Sequence, residues 1–207
     1  MKAVLVDQLG DDAPLVAMLR EGLDGLTDAE YLWEPVPYCW SVRPRREQRT
    51  APDRYHPEGD WGVDIEYPDP SPSPFTTIAW RLTHLTGSTY VAAAALRGDR
   101  LPSGHLDERW PQDSAVATTA ADAVARWESA LNELRTRLDA ASEDDLLRTE
   151  SHEWDWPPPP EPGAGDAVWK QVLFFACFEP ASHAAEVRLL RDLYRHTDGG
   201  RRPLVPA

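Results

Sequence analysis

Proline placement limits this chain more than any other feature. Nine of its 20 prolines lie between residues 34 and 74 (Pro35, Pro37, Pro44, Pro52, Pro57, Pro68, Pro70, Pro72 and Pro74), and Pro157, Pro158, Pro159 and Pro160 are consecutive. A proline inside a helix removes a backbone donor and clashes with the preceding turn. Both regions therefore read as non-helical connections, the second as a stiff extended run. Between and around them, four stretches carry apolar residues at helical spacing. The first spans about Asp7–Leu26 (Leu9, Val16, Leu19, Leu23, Leu26), with a kink or late start at Pro14. The second follows Pro74, with Thr76 or Thr77 as cap, and runs to about Arg97 through Ile78, Leu82, Leu85, Ala92 and Leu96.

The third is the most regular, through Ala117, Ala120, Val124, Trp127, Leu131, Leu134 and Leu138, although a start signal at Thr119 and Asp122 would leave Ala117 outside. The fourth covers about Asp166–His196 (Val168, Val172, Phe175, Val187, Leu190, Leu193). No stretch alternates with period two for long enough to suggest a sheet. The expected class is all-α: a single four-helix-bundle domain over residues 1–207, with long proline-rich connections and a frayed tail at 201–207. The 34–74 loop is expected to cover one end of the bundle.

Charge and composition narrow the function classes. With 21 Lys and Arg against 35 Asp and Glu, the net charge is −14, which repels a phosphate backbone and argues against nucleic acid as a partner. No run approaches the length of a membrane span, and Cys39 and Cys177 are too few for a disulfide framework, so the expected setting is the cytoplasm. Several tryptophans (Trp33, Trp40, Trp61, Trp110, Trp154, Trp156) lie outside the helical patterns, where they can plug bundle ends or line a pocket. Cys177, among Phe174, Phe175 and Phe178, reads as packing, as does Cys39. Glu143, Asp144 and Asp145 read as a solvated junction. No nucleophile elbow or phosphate-binding loop is present, and Gly163–Gly165 lacks the Lys-Ser/Thr that would follow one.

Of six histidines, His56, His105, His152 and His196 fall in loops or near a helix end and read as solvated, whereas His84 and His183 sit inside helical stretches. Glu179 precedes His183 by four positions, so the two side chains share a helix face. If the second and fourth helices pack together, His84 completes a His–Glu–His trio. Such a trio suits zinc, nickel or iron(II) and leaves coordination positions open. Glu186, three residues after His183, could support the ligands from behind or replace one of them. Spacing alone leaves two readings open, because a buried histidine is often a hydrogen-bonded core residue and Glu–His pairs are common on helix surfaces. Pro180, between the two ligands, requires Glu179 to stand near a helix start or a kink.

Leu26-Thr27-Asp28-Ala29-Glu30-Tyr31 with Trp33-Glu34-Pro35-Val36-Pro37 and Cys39-Trp40-Ser41-Val42-Arg43 resembles the entry region of actinobacterial proteins in the DinB-like (YfiT-like) superfamily of metal-dependent proteins. Thr76-Thr77-Ile78-Ala79-Trp80-Arg81-Leu82-Thr83-His84-Leu85 resembles its second-helix motif. Glu179-Pro180-Ala181-Ser182-His183-Ala184-Ala185-Glu186-Val187, running on to Tyr194, resembles its fourth-helix motif. The resemblance implies a DinB-type four-helix bundle whose crossover joins the second and third helices, although here the longest connection joins the first and second. It implies His84 as the first metal ligand and His183 as a fourth-helix ligand. Glu179 stands where the wider superfamily has histidine, and Ser182 where the nearer subgroup often has one.

Members with assigned activities, such as mycothiol-dependent maleylpyruvate isomerase and bacillithiol S-transferases, use a divalent metal to activate a low-molecular-weight thiol. The expectation is therefore an S-transferase or isomerase with mycothiol as co-substrate and an electrophilic small molecule as substrate. Trp40, Trp80 and Arg81 would form the substrate pocket, with Arg81 or Arg188 holding an anionic group. Two alternatives stand beside it: a non-catalytic bundle that has lost the metal and serves in binding or stress response, and a metal-dependent hydrolase. Bundles of this type often pair through helix faces, which makes a homodimer an option.

Overall fold

The long apolar stripes become helices in the computed structural model, which describes residues 1–50, 59–66, 70–97, 116–150 and 166–201. In order, the elements are α1 (Lys2–Leu9), α2 (Pro14–Leu23), α3 (Asp28–Tyr31), β1 (Val42–Pro44), β2 (Trp61–Val63), α4 (Ile78–Arg97), α5 (Ala120–Ala140), α6 (Glu143–Leu147), β3 (Thr149–Glu150), β4 (Asp166–Ala167), α7 (Val168–Leu173) and α8 (Glu179–His196). The class is all-α. Its bundle has four sides, formed by α1 with α2, by α4, by α5 and by α7 with α8. α4 packs on α5 and α8, α2 packs on α8, and α1 packs on α5. Arg20 of α2 closes the ring by donating from Nε and Nη2 to the two carboxylate oxygens of Glu128 on α5, at 2.7 and 2.8 Å.

The core follows the stripes. Leu9, Val16, Leu19, Leu82, Leu85, Leu131, Leu134, Leu138, Val168, Val172, Val187 and Leu190 are all buried in one cluster. α4 is buried on nearly all sides from Val91 to Leu96. Its buried Thr83, Thr86 and Thr89 donate to the carbonyls of Ala79, Leu82 and Leu85 at 2.8–2.9 Å, which meets their hydrogen-bonding need within the helix. Thr119 caps α5 by accepting from the Asp122 N–H, so Ala117 does lie outside the helix, where its carbonyl accepts from the Tyr31 hydroxyl at 2.9 Å.

Three expectations need correction. The first stripe is two helices rather than one, with the late start and not the kink realised at Pro14, an N-terminal residue of α2 that forces Ala13 into an extended conformation (ψ 132°). The fourth helix starts at Val168, because Asp166 and Ala167 pair with Thr149 and Glu150 as β4 and β3. The 34–74 region holds an antiparallel pair, β1 with β2, in the register Val42 to Val63 and Pro44 to Trp61. Strands of three residues are too short for alternation to be read in the sequence. The acidic run Glu143–Asp145 is the first turn of α6, closed by a capping box in which Ser142 and Asp145 each accept from the other's backbone N–H.

The described part of this region is joined to the start of α4. Trp40 donates its N–H to the Phe75 carbonyl (2.8 Å) and accepts from the Thr77 N–H (3.0 Å), while the Ser41 and Thr77 hydroxyls lie 2.9 Å apart. Thr77 in turn accepts from the Trp80 N–H, as expected of a cap. Trp33 is half-buried and lies edge-on to Tyr194 of α8, with ring centroids 5.5 Å apart. Cys39 and Cys177 are free and buried, and burial pushes both thiols up, that of Cys177 to about 11, in keeping with packing roles. His196 is exposed at the end of α8. His56, His105, His152, Trp110, Trp154, Trp156, Pro157–Pro160, Gly163–Gly165 and residues 202–207 lie outside the described residues. Among the described residues, no helix is long and apolar enough to cross a membrane.

Candidate metal centre

Glu179 and His183 owe their placement to an irregular turn. Between α7 and α8 the helix widens into one π turn, Phe174–Phe178, in which the Glu179 N–H donates to the Phe174 carbonyl. Pro180 follows directly, near the N-terminus of α8, where a missing backbone donor costs little. The widened turn is thus how the chain accepts a proline between two candidate ligands, and π turns are frequent at functional sites.

From this start, α8 points Glu179 and His183 at α4, and α4 presents His84. Glu179 Oε2 lies 2.9 Å from His84 Nε2 and 3.2 Å from His183 Nε2. The imidazoles meet edge-to-face, with centroids 5.1 Å apart and planes at 90°. One ligand atom from each of the three residues falls within 4.8 Å of the others, a group that can hold a metal ion. The donor set fits a divalent cation of the zinc, nickel or iron(II) kind: two imidazole nitrogens and one carboxylate oxygen converge from two helices.

Electrostatics favour an ionised carboxylate there. Hydrogen bonds from His183 and His84 pull the Glu179 carboxyl down to about 2, against a smaller opposing effect of burial. For His183, burial works against protonation, but the bonds to Glu179 and Glu186 outweigh it and raise the pKa. The Glu186 carboxylate is bonded to His183 Nδ1, on the far side of the ring from Glu179. It therefore stands behind His183 and is not among the converging ligand atoms.

The sequence-derived pocket residues lie in and next to this cluster. Trp80 stacks on His84 (5.2 Å between centroids, 8° between planes), and Trp40 packs against Trp80 at 6.1 Å. Arg81 Nε is 3.2 Å from Glu186 Oε2, and its Nη1 is 3.3 Å from His183 Nδ1. Arg188 is elsewhere, paired with Glu21 of α2 at 2.7 Å. Side-chain exposure runs from 9% at His183 and 18% at Glu179 to 37% at His84, so the cluster is shielded on the α8 side and open beside His84.

One supporting group, Asp64, has no counterpart among the residues expected from the sequence. Asp64, fully buried, accepts at its backbone carbonyl from Trp80 Nε1 (2.8 Å), while its side chain takes Arg43 Nε (2.6 Å) and the Ser41 and Arg49 N–H groups. Arg43 also pairs with Glu34 at 2.9 Å. This buried network holds the tryptophan that packs on His84. No motif could have announced it, because the partners come from separate parts of an irregular loop. Ser88, four residues along α4 and so on the same face as His84, lies 3.5 Å from His84 Nε2.

A family model described as the DinB superfamily matches residues 16–187. Comparison with curated proteins and with solved structures returns no match.

Proposed function

Since the chain belongs to the DinB superfamily, we propose that it is a metal- and thiol-dependent S-transferase or isomerase, with His84, Glu179 and His183 as the ligands. The observation that carries this reading is the convergence of three ligand atoms within 4.8 Å. A bound divalent ion would lower the pKa of a coordinating thiol and so supply a thiolate at neutral pH. The chain's own residues prepare for this. Glu179, ionised across the neutral range, brings negative charge without competition from a proton. Glu186 occupies His183 Nδ1 and thereby turns the Nε2 lone pair toward the centre. Trp80, held by the Asp64 carbonyl, fixes the plane of His84.

The proposed co-substrate is a low-molecular-weight thiol of the mycothiol type, as in the actinobacterial subgroup that the sequence resembles, and the second substrate is a small electrophile. A cytoplasmic setting belongs to the proposal and suits two reduced cysteines. The test is thiol consumption by metal-loaded protein across a panel of electrophiles. Turnover that disappears in His183→Ala supports the reading. Ester or amide hydrolysis without thiol would favour the hydrolase instead.

One observation favours a second reading, a bundle serving as a binding module. Glu179 is within hydrogen-bonding distance of both Nε2 atoms, so the three side chains can satisfy one another with no cation between them. A wild-type chain that takes up no metal at any occupancy and consumes no thiol would support the module.

A further inference from the structure

We propose that Arg81 anchors a carboxylate on the small molecule bound at this centre, so that the ligand places one donor among His84, Glu179 and His183 and its carboxylate on the guanidinium. The inference rests on the metal-centre reading and adds the substrate class to it.

Placement is the first argument. Arg81 precedes His84 by three positions on α4 and so shares its face. Its guanidinium reaches α8 between His183 and Glu186, with Cζ 5.4 Å from the Trp80 ring centroid. The side chain is only 19% exposed.

Donor accounting is the second. When His183 directs its Nε2 lone pair to a cation, its single N–H is on Nδ1, and Glu186 accepts it. Nδ1 then has no lone pair for Arg81, and the 3.3 Å approach of Nη1 is not a hydrogen bond in that state. Arg81 Nε is buried and makes no hydrogen bond, since its approach to Glu186 is an ion pair without bonding alignment. A largely buried guanidinium is thus left with unfilled donors, a costly condition that an incoming acceptor relieves.

Charge is the third. With a divalent cation and neutral imidazoles, Glu179 and Glu186 together balance the ion, and the Arg81 charge is left over. The planar fork of arginine matches a carboxylate in two parallel hydrogen bonds, which an amide or hydroxyl cannot reproduce.

The test compares two thiols of the same shape, β-mercaptopropionate and its uncharged amide, β-mercaptopropionamide. Binding to Co²⁺-loaded protein is followed by the near-ultraviolet absorption of the cobalt–thiolate bond. In the wild type the carboxylate should bind about tenfold tighter or more, the size expected of one charge-assisted contact. In Arg81→Gln the two affinities should become equal within about twofold. If Arg81→Gln fails to fold by circular dichroism, Arg81→Lys takes its place. Keeping the charge but not the fork, it should lower the preference by about threefold or more. Equal affinities in the wild type, or a preference unchanged in the variants, would overturn the anchor while leaving the metal centre standing. Failure to take up Co²⁺ at all would overturn the metal reading, and the anchor with it.

Discussion

Glu179 serves two histidines at once and depends on residues that never touch a ligand position. Glu186 is the nearest of these: it fixes the His183 tautomer through Nδ1 and holds Arg81 alongside. Outer carboxylates of this kind are worth roughly 10–100-fold in metal affinity. Glu186→Gln should therefore weaken zinc binding by about that factor in a competition titration against a chromophoric chelator, while the unfolding midpoint of the metal-free protein changes little. A second buried pair makes a pH prediction. Burial pushes the Glu30 carboxyl up, but Arg191 and the Thr27 N–H outweigh it, and the folded pKa lies below the ordinary 4.5. A lowered folded pKa means that the pair contributes stability above the unfolded value and loses it as pH falls through the folded one. Glu30→Gln should cost about 3–5 kcal/mol at neutral pH by leaving the Arg191 charge buried without its partner. The gap from wild type in urea midpoint should narrow as pH falls below the ordinary carboxylate value of 4.5. At this scale the sequence revealed Glu179 with His183, because i and i+4 share a face on any helix. His84 needed the further condition that α4 packs on α8, which spacing within one helix does not contain.

Elements differ in how much stability each contact contributes. Leu134 on α5 is fully buried in the shared cluster, so Leu134→Ala should cost about 2–5 kcal/mol in urea unfolding. Arg20→Ala removes a well-formed but partly exposed pair between α2 and α5, and should cost about 1 kcal/mol or less. The apolar seam therefore outweighs the ion pair in closing the ring. Helix periodicity was legible for the same reason: α4, α5 and α8 each bury an extended stripe. The break between α1 and α2 depends on where Pro14 falls relative to a helix start, which periodicity does not report. The β1–β2 pair is too short to leave a pattern. The π turn adds a residue without changing the composition of its stretch, and only Pro180 hinted that the helix had to bend its rules there.

On the scale of the whole molecule, the candidate centre sits where α4 meets α8, two sides of the bundle whose connection covers many residues. A cation held across that seam binds the folded chain and not its separated helices, so it should stabilise the fold by about 2.7 kcal/mol at a free concentration one hundred times Kd. Zinc should raise the thermal midpoint and a chelator should return it. The central claim is tested most directly by elemental analysis of the untagged protein after exposure to zinc, nickel or iron(II), alongside His84→Ala and His183→Ala checked for helical content. The account predicts one bound metal per chain in the wild type and none in either variant, with helicity retained. A wild-type chain that takes up no metal, or two variants that both keep a full equivalent, would contradict it.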